Sequence, residues 1–284
     1  MKIVRTVAGH RGQIADWRRS GLKVCLVTTM GALHDGHLSL IQMGQDVADR
    51  VVATIFVNPT QFGANEDLST YPRDEARDAD MLKGAGCDML FAPALEEMYP
   101  PGFATEVRVQ GLTDCLCAAV RPGHMDGVAQ IVAKLLNQAG ADFAIFGEKD
   151  WQQLALIRRM ARDLDIPTEI LGGPTLREAD GLAMSSRNRY LDDAQRRTAA
   201  HLNTVLFSAA DRIAKGWPVA DECAASVRTL LKAGFDRVDY VEARDGGSLV
   251  PIEAHDPRRP GRLFAAAHLG KARLIDNVTI APLS

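Results

Sequence analysis

The chain has 284 residues, 46% hydrophobic and 24% charged, enough for a sizeable core without disulfide or metal staples. Its 33 basic and 36 acidic side chains give a formal net charge of −3, a balance that argues against a dedicated nucleic-acid surface. No apolar run approaches the ~20 residues of a membrane span, and the start, MKIVRTVAGHRGQ, lacks the pattern of a secretory signal. The five cysteines form no CxxC pair, so neither a disulfide framework nor a structural zinc site is expected, and a reducing cytoplasmic setting is.

In chain order, apolar runs predict strands at residues 24–28, 51–57, 89–92, 143–146 and 168–171. Between the first two, Leu40, Met43 and Val47 recur at helical spacing within residues 36–50. A second helix is predicted over 130–139, and a third runs from after Asp150 through Leu154, Ile157 and Ala161 toward Asp163. Strands alternating with helices indicate an α/β fold with a parallel sheet, in which ligands sit at the carboxyl ends of the strands. The turn-prone Gly172-Gly173-Pro174 marks a composition shift. Beyond it come two amphipathic helices (192–215 and 218–233) and strands at 237–242, 263–269 and 272–275. Two domains are expected, 1–175 and 176–284, and the charged stretch DPRRPGR (256–262) reads as a solvated tip.

Four segments carry chemistry. The first is TTMGALHDGHLSL, residues 28–40: an apolar strand, a glycine turn, then His34-Asp35-Gly36-His37 entering a helix. Such a turn is expected to present backbone N–H groups, and the helix start adds positive potential, so an anion is favoured there. Imidazoles three residues apart can face one ligand and donate to phosphate oxygens, as cations if the site raises their pKa. Gly31 lets backbone approach a nucleotide, and Gly36 keeps a side chain from between the histidines. Alone, two histidines beside a turn also describe a plain surface turn. A zinc pair is the rival reading, although helical metal pairs usually stand at i, i+4 with a third ligand. There is no GxxxxGK[ST] loop and no GxGxxG after a strand.

The second segment is FGEKDWQQL, residues 146–154, where Lys149 follows a buried strand and can neutralise phosphate oxygens. Asp150 can cap the next helix or meet a ribose hydroxyl, and Gln153 can hold a polar substrate. Helix capping with exposed charges is the plain alternative. The third is READGLAMSSRN, residues 177–188, in which Ser185, Ser186 and Arg187 offer donors to a triphosphate from a loop able to close. By itself it is also an ordinary polar loop. The fourth is FVNPTQFG, residues 56–63, where the amides of Asn58 and Gln61 stand among apolar residues and suit a small hydroxylated substrate. A turn after a strand explains it as well. Arg121 and His124 in RPGH form a weaker candidate.

Together the pieces TTMGALHDGH, FVNPTQFGANEDLSTYPR, RPGHMDGV, FGEKDWQQL and READGLAMSSRNRYL resemble the pantoate–β-alanine ligase (pantothenate synthetase) family, in the family's order across residues 28–191. The resemblance implies a Rossmann-like nucleotidyltransferase domain, a smaller α+β C-terminal domain that closes over it, and a homodimer. It implies that pantoate and ATP give pantoyl adenylate and pyrophosphate, after which β-alanine displaces AMP, with Mg2+ accompanying ATP. By motif position, Met30, Gly31, Ala32, Leu33, His34, Asp35, Gly36 and His37 line the ATP site, with His37 treated as proton donor. Gly147, Glu148, Lys149, Asp150, Leu176, Met184, Ser185, Ser186 and Arg187 complete it. Gln61, Gln153 and Asn58 hold pantoate, and Gln61 also meets β-alanine. His34, His37, Lys149 and Arg187 are the expected catalytic set.

Some positions depart from the family's usual pattern. Thr29 replaces a common proline and is expected to loosen the turn before Met30. Trp151 replaces tyrosine, Met125 phenylalanine and Leu176 valine, each keeping bulk or apolar contact. No protein ligand to the metal is assigned. Two other readings remain: a different HxGH nucleotidyltransferase that stops after joining a nucleotide to a phosphorylated substrate, and a tRNA-binding relative of the class I synthetases. The amide set argues against the first and the net charge against the second.

Overall fold

A strand buried on both faces of a parallel sheet reads as a continuous apolar run, and the runs near residues 24, 51, 89 and 143 become such strands, while that near 168 becomes a half-exposed edge strand. In the computed structural model, which describes residues 1–63, 68–256 and 258–282, six strands form one sheet. They are β1 (Lys2–Val4), β2 (Val24–Thr29), β3 (Arg50–Ile55), β4 (Met89–Phe91), β5 (Phe143–Gly147) and β6 (Glu169–Gly173), in the order β1-β4-β3-β2-β5-β6. Every pairing is parallel. Residues 64–67 of the FVNPTQFGANEDLSTYPR motif and Pro257 of the predicted tip lie outside the described residues.

The helices are α1 (Val7–Arg19), α2 (Asp35–Val47), α3 (Glu75–Gly84), α4 (Leu95–Met98), α5 (Cys117–Val120), α6 (His124–Ala139) and α7 (Trp151–Asp163), followed by α8 (Asp193–Ala199), α9 (His201–Ala214) and α10 (Val219–Ala233). After β2 the chain passes through α2 to β3 on one side; after β5 it passes through α7 to β6 on the other. The carboxyl ends of β2 and β5 therefore flank the topological switch point, the crevice where open α/β sheets bind ligands. Close approach of α2 to the sheet needs glycines: a Cβ on Gly173 would overlap Leu40 Cδ2, and one on Gly44 would lie 3.2 Å from Val51.

The chain divides into two units, one of Met1–Asp114, Arg121–Glu148 and Leu156–Pro174, the other of Cys115–Val120, Lys149–Ala155 and Thr175–Ser284. The second contains an antiparallel sheet of β7 (Arg237–Asp245), β8 (Gly261–Leu269) and β9 (Ala272–Ile280). Leu202, Leu206 and Ile213 of α9 and Leu230 of α10 share a core with Leu263, Ala265 and Leu274 of that sheet. Among the described residues no helix is long and apolar enough to cross a membrane.

Several boundaries differ from the sequence expectation. The helix predicted over 130–139 begins at His124, because Gly127 is helical here and lets α6 approach the 58–61 turn, where a Cβ would collide with the Thr60 carbonyl oxygen. The helix predicted over 192–215 is two, interrupted at Ala200 with its backbone still right-handed (φ −60°, ψ −25°). Strand β9 continues to Ile280 through buried Asp276 and Asn277, polar residues that read as a strand end until their partners are seen.

His10 on α1 is fully buried and stacks on Phe91 of β4 at 4.4 Å, and burial lowers its pKa from 6.5 to about 4. The unfolded chain takes up this proton first, so the neutral imidazole's contribution is complete above the unfolded pKa and is lost as pH falls toward the folded one. Between pH 7 and pH 5 this group removes about 2 kcal/mol of stability. Urea unfolding of the wild type and His10→Leu at both pH values checks this; an unchanged pH dependence in the variant contradicts it.

Candidate active site

The chain leaves β2 at Thr29, whose hydroxyl donates to the Thr54 carbonyl of β3 (2.7 Å) and accepts the Gly31 N–H (3.1 Å). The threonine therefore ties the turn to the neighbouring strand, correcting the expectation that losing proline here loosens it. Gly31 (φ +81°) and Ala32 (φ +52°) both lie in the left-handed region, which a Cβ-bearing residue such as Ala32 adopts only when held there. The holding group is Asp78 of α3, 1% exposed, whose two oxygens accept the N–H groups of Ala32 (2.7 Å) and Leu33 (2.9 Å). A Cβ on Gly31 would stand 2.9 Å from Asp78 Oδ2. The turn was expected to present its N–H groups to an anion. Those of Gly31, Ala32 and Leu33 instead point at side-chain acceptors of the protein.

Positive character comes from the next residues. His34, extended at φ −145°, precedes α2, and His37 one turn on accepts the His34 N–H at Nδ1 (3.3 Å). While that bond lasts, His37 carries its proton on Nε2 and its Nδ1 lone pair is engaged. The two rings lie 4.1 Å apart, tilted by 45°. The first-turn amides of Asp35 and Gly36 have no partner within the helix, and the α2 dipole adds to their pull on an anion.

The 58–61 turn after β3 meets this segment, because Gln61 Nε2 donates to Met30 Sδ at 2.7 Å. Asn58, 1% exposed, is fully engaged by the protein: Nδ2 donates to Gln61 Oε1 (3.2 Å) and the Gly127 carbonyl (3.0 Å). Its Oδ1 accepts from Thr60 N, Thr60 Oγ1 and the Tyr99 hydroxyl. His124 of the weaker RPGH candidate bonds the Gln61 carbonyl through Nδ1 (2.7 Å), so that segment supports the turn.

Gly147 ends β5 in the first unit, and Glu148 follows in a single 3-10 turn. In the second unit, Lys149 is largely buried with Nζ 3.8 Å from Asp150 Oδ2, and Gln153 is half-buried. The 177–188 loop is braced within its own unit. Arg177 forks onto buried Asp276 (2.7 and 2.9 Å), and the Met184 N–H returns to the Leu176 carbonyl (3.0 Å). Arg196 bonds Glu178 and Asp180, holding the Asp180 carboxyl below its usual range, and Asn188 donates to Glu178 (2.7 Å). Ser185 Oγ accepts the Arg187 N–H (3.3 Å), leaving its hydroxyl proton for another acceptor, while Leu176 is 39% exposed.

Sequence reading missed Asp78, Arg177 and Asp276. Asp78 left no clear signal: it stands one turn before fully buried Leu82 on the same face, but α3 is too charged for an apolar stripe to show. Among the described residues no group of three or more His, Cys, Asp or Glu side chains is arranged to hold a metal ion.

The family profile described as Pantoate-beta-alanine ligase matches residues 2–279. A pantothenate synthetase of Paramagnetospirillum magneticum is 60% identical over 280 residues, covering 99% of this chain and 98% of that protein. One from Dinoroseobacter shibae is 54% identical over 278 residues, with 98% and 99% covered. Among solved structures, pantothenate synthetase from Thermus thermophilus superposes with a TM-score of 0.91 at 43% identity, covering 99% of this chain and 100% of that one. The pantoate-beta-alanine ligase of Francisella tularensis, complexed with beta-gamma ATP and beta-alanine, gives 0.83 at 30% identity, with 99% and 98% covered.

Asp78→Asn replaces one accepting oxygen by an N–H donor facing a backbone N–H. It is expected to lower unfolding stability by roughly 2 kcal/mol, the cost of a buried donor left unmatched. Chemical denaturation of both proteins checks this, and a loss below about 0.5 kcal/mol contradicts it.

Proposed function

The chain belongs to the pantoate–β-alanine ligase family, and from that premise we propose that it condenses (R)-pantoate with β-alanine, converting ATP to AMP and pyrophosphate through pantoyl adenylate. The observation that carries this reading is the imidazole pair at the start of α2, where β2 ends at the switch point of the sheet. The contact between Gln61 and Met30 supports it further, by joining the turn suited to a hydroxylated acid to the turn suited to a nucleotide.

A carboxylate is a poor acyl donor, so amide formation near neutral pH needs an activated leaving group. In the first step a pantoate carboxylate oxygen attacks the α-phosphorus, the bond to the bridging oxygen breaks, and pyrophosphate departs. In the second the β-alanine nitrogen attacks the acyl carbon, the bond to the AMP oxygen breaks, and the amine loses a proton. With the turn amides engaged by Thr29 and Asp78, phosphate recognition in the first unit falls to His34, His37 and the leading amides of α2. His37 in its Nε2–H form donates without needing to be a cation. By the family's motif positions, Lys149, Ser185, Ser186 and Arg187 are assigned to offsetting charge as pyrophosphate leaves. Gln61 and Gln153 hold pantoate, and Asn58, its amide engaged, orients Gln61.

Mg2+ enters with the nucleotide. The donor set suits an ion held chiefly by phosphate oxygens and water, since no three-ligand group stands among the described residues. Its charge would offset that of the phosphates. The likeness to the family also supports a homodimer acting in the cytoplasm.

ATP–pyrophosphate exchange is expected to require pantoate, and AMP to appear in proportion to pantothenate once β-alanine is added. Exchange independent of pantoate, or product without AMP, overturns the route. His37→Ala and Lys149→Ala are each expected to slow exchange by roughly 100-fold; near-normal exchange in either removes that residue from its assigned role.

A further inference from the structure

The segment that begins with Lys149 is held by groups far along the chain, all within the second unit. Asn277 of β9, 4% exposed, donates from Nδ2 to the Lys149 carbonyl at 2.8 Å. Its Oδ1 accepts Arg262 Nη1 of β8, and Arg262 Nη2 reaches Thr279 Oγ1 (3.2 Å). The same guanidinium lies over the Trp151 ring, 3.3 Å from its centroid, while the indole N–H donates to the Gly246 carbonyl (2.6 Å). Lys149 and Trp151 are thus gripped from two sides by one connected polar network.

A buried amide in the middle of a strand costs free energy unless every polar atom is bonded, and an apolar residue would fill that space without the cost. The donor of Asn277 is committed to the main chain of the one residue whose ammonium group the reaction needs. A lysine side chain has a flexible four-carbon stem, so placing Nζ starts with a fixed backbone. The neighbouring residue has a parallel task, since Asp276 holds Arg177 at the root of the loop that carries Ser185, Ser186 and Arg187. The tryptophan at 151 belongs to the same device: its indole supplies both a donor for Gly246 and a broad face for Arg262.

We propose that Asn277, its amide oriented by Arg262, is a positioning residue for Lys149 in the adenylation step. This rests on the role given to Lys149 above. The test compares Asn277→Asp and Asn277→Ala with the wild-type protein in two assays: pantoate-dependent ATP–pyrophosphate exchange, and aminolysis of supplied pantoyl adenylate by β-alanine. Asn277→Asp keeps the volume and an acceptor for Arg262 but has no N–H for the Lys149 carbonyl. Asn277→Ala provides a second variant should that carboxylate prevent folding.

Both are expected to slow exchange by about tenfold or more, the equivalent of one buried hydrogen bond. Aminolysis should stay within about threefold of wild type, and the exchange defect should vanish when the same substitution is made in Lys149→Ala, because coupled residues are non-additive. Normal exchange in Asn277→Asp overturns the proposal. So does equal slowing of both half-reactions, or a defect that multiplies that of Lys149→Ala, since either marks a purely structural residue. Normal exchange in Lys149→Ala instead overturns the role of the lysine, which separates the two failures.

Discussion

The grip of one buried carboxylate on two backbone amides governs the candidate site. Asp78 accepts from Ala32 and Leu33, and so keeps Ala32 at a positive φ and fixes where α2 starts. The position of His34 and His37 follows from that start, because His34 immediately precedes the helix and His37 ends its first turn. The arrangement also sets the electrostatics. Turn amides committed to a carboxylate cannot serve phosphate, so positive potential has to come from imidazoles, the α2 dipole and cations. This differs from glycine-rich loops that cradle phosphates with backbone N–H groups.

The parallel sheet was legible because burial of its central strands writes itself as uninterrupted apolar runs: VCLVTT, FAIFG and its other predicted strands start and end within two residues of where the sequence places them. Elements whose stability comes from contacts rather than pattern were not. Strand β1 has three residues, and α3 is so charged that no stripe stands out, although it carries Asp78 and Leu82 inward. Gly127 obscured the start of α6 because glycine usually weakens a helix, whereas here it lets the helix backbone approach Thr60.

For the site, motif residues were legible and their supports were not. The histidine pair, Gln61 and Lys149 are visible as chemistry-bearing side chains at strand ends. Asn58, read as a substrate ligand, is occupied in holding Gln61; nothing local in NPTQ separates those two amides. Asp276 and Asn277 interrupt an apolar strand pattern, and partners distant in sequence make them tolerable inside a sheet: Arg177 for the first, Arg262 and the Lys149 carbonyl for the second. Thr29 shows the converse, since a residue expected to weaken a turn strengthens it with one hydroxyl.

The most direct test of this account is residue-resolved amide exchange at Ala32 and Leu33, with and without ATP. If Asp78 holds these N–H groups, both are strongly protected in the free protein and gain little when nucleotide binds. Fast exchange in the free protein, followed by strong protection on adding ATP, would show that the turn serves phosphate with its backbone and would contradict the account.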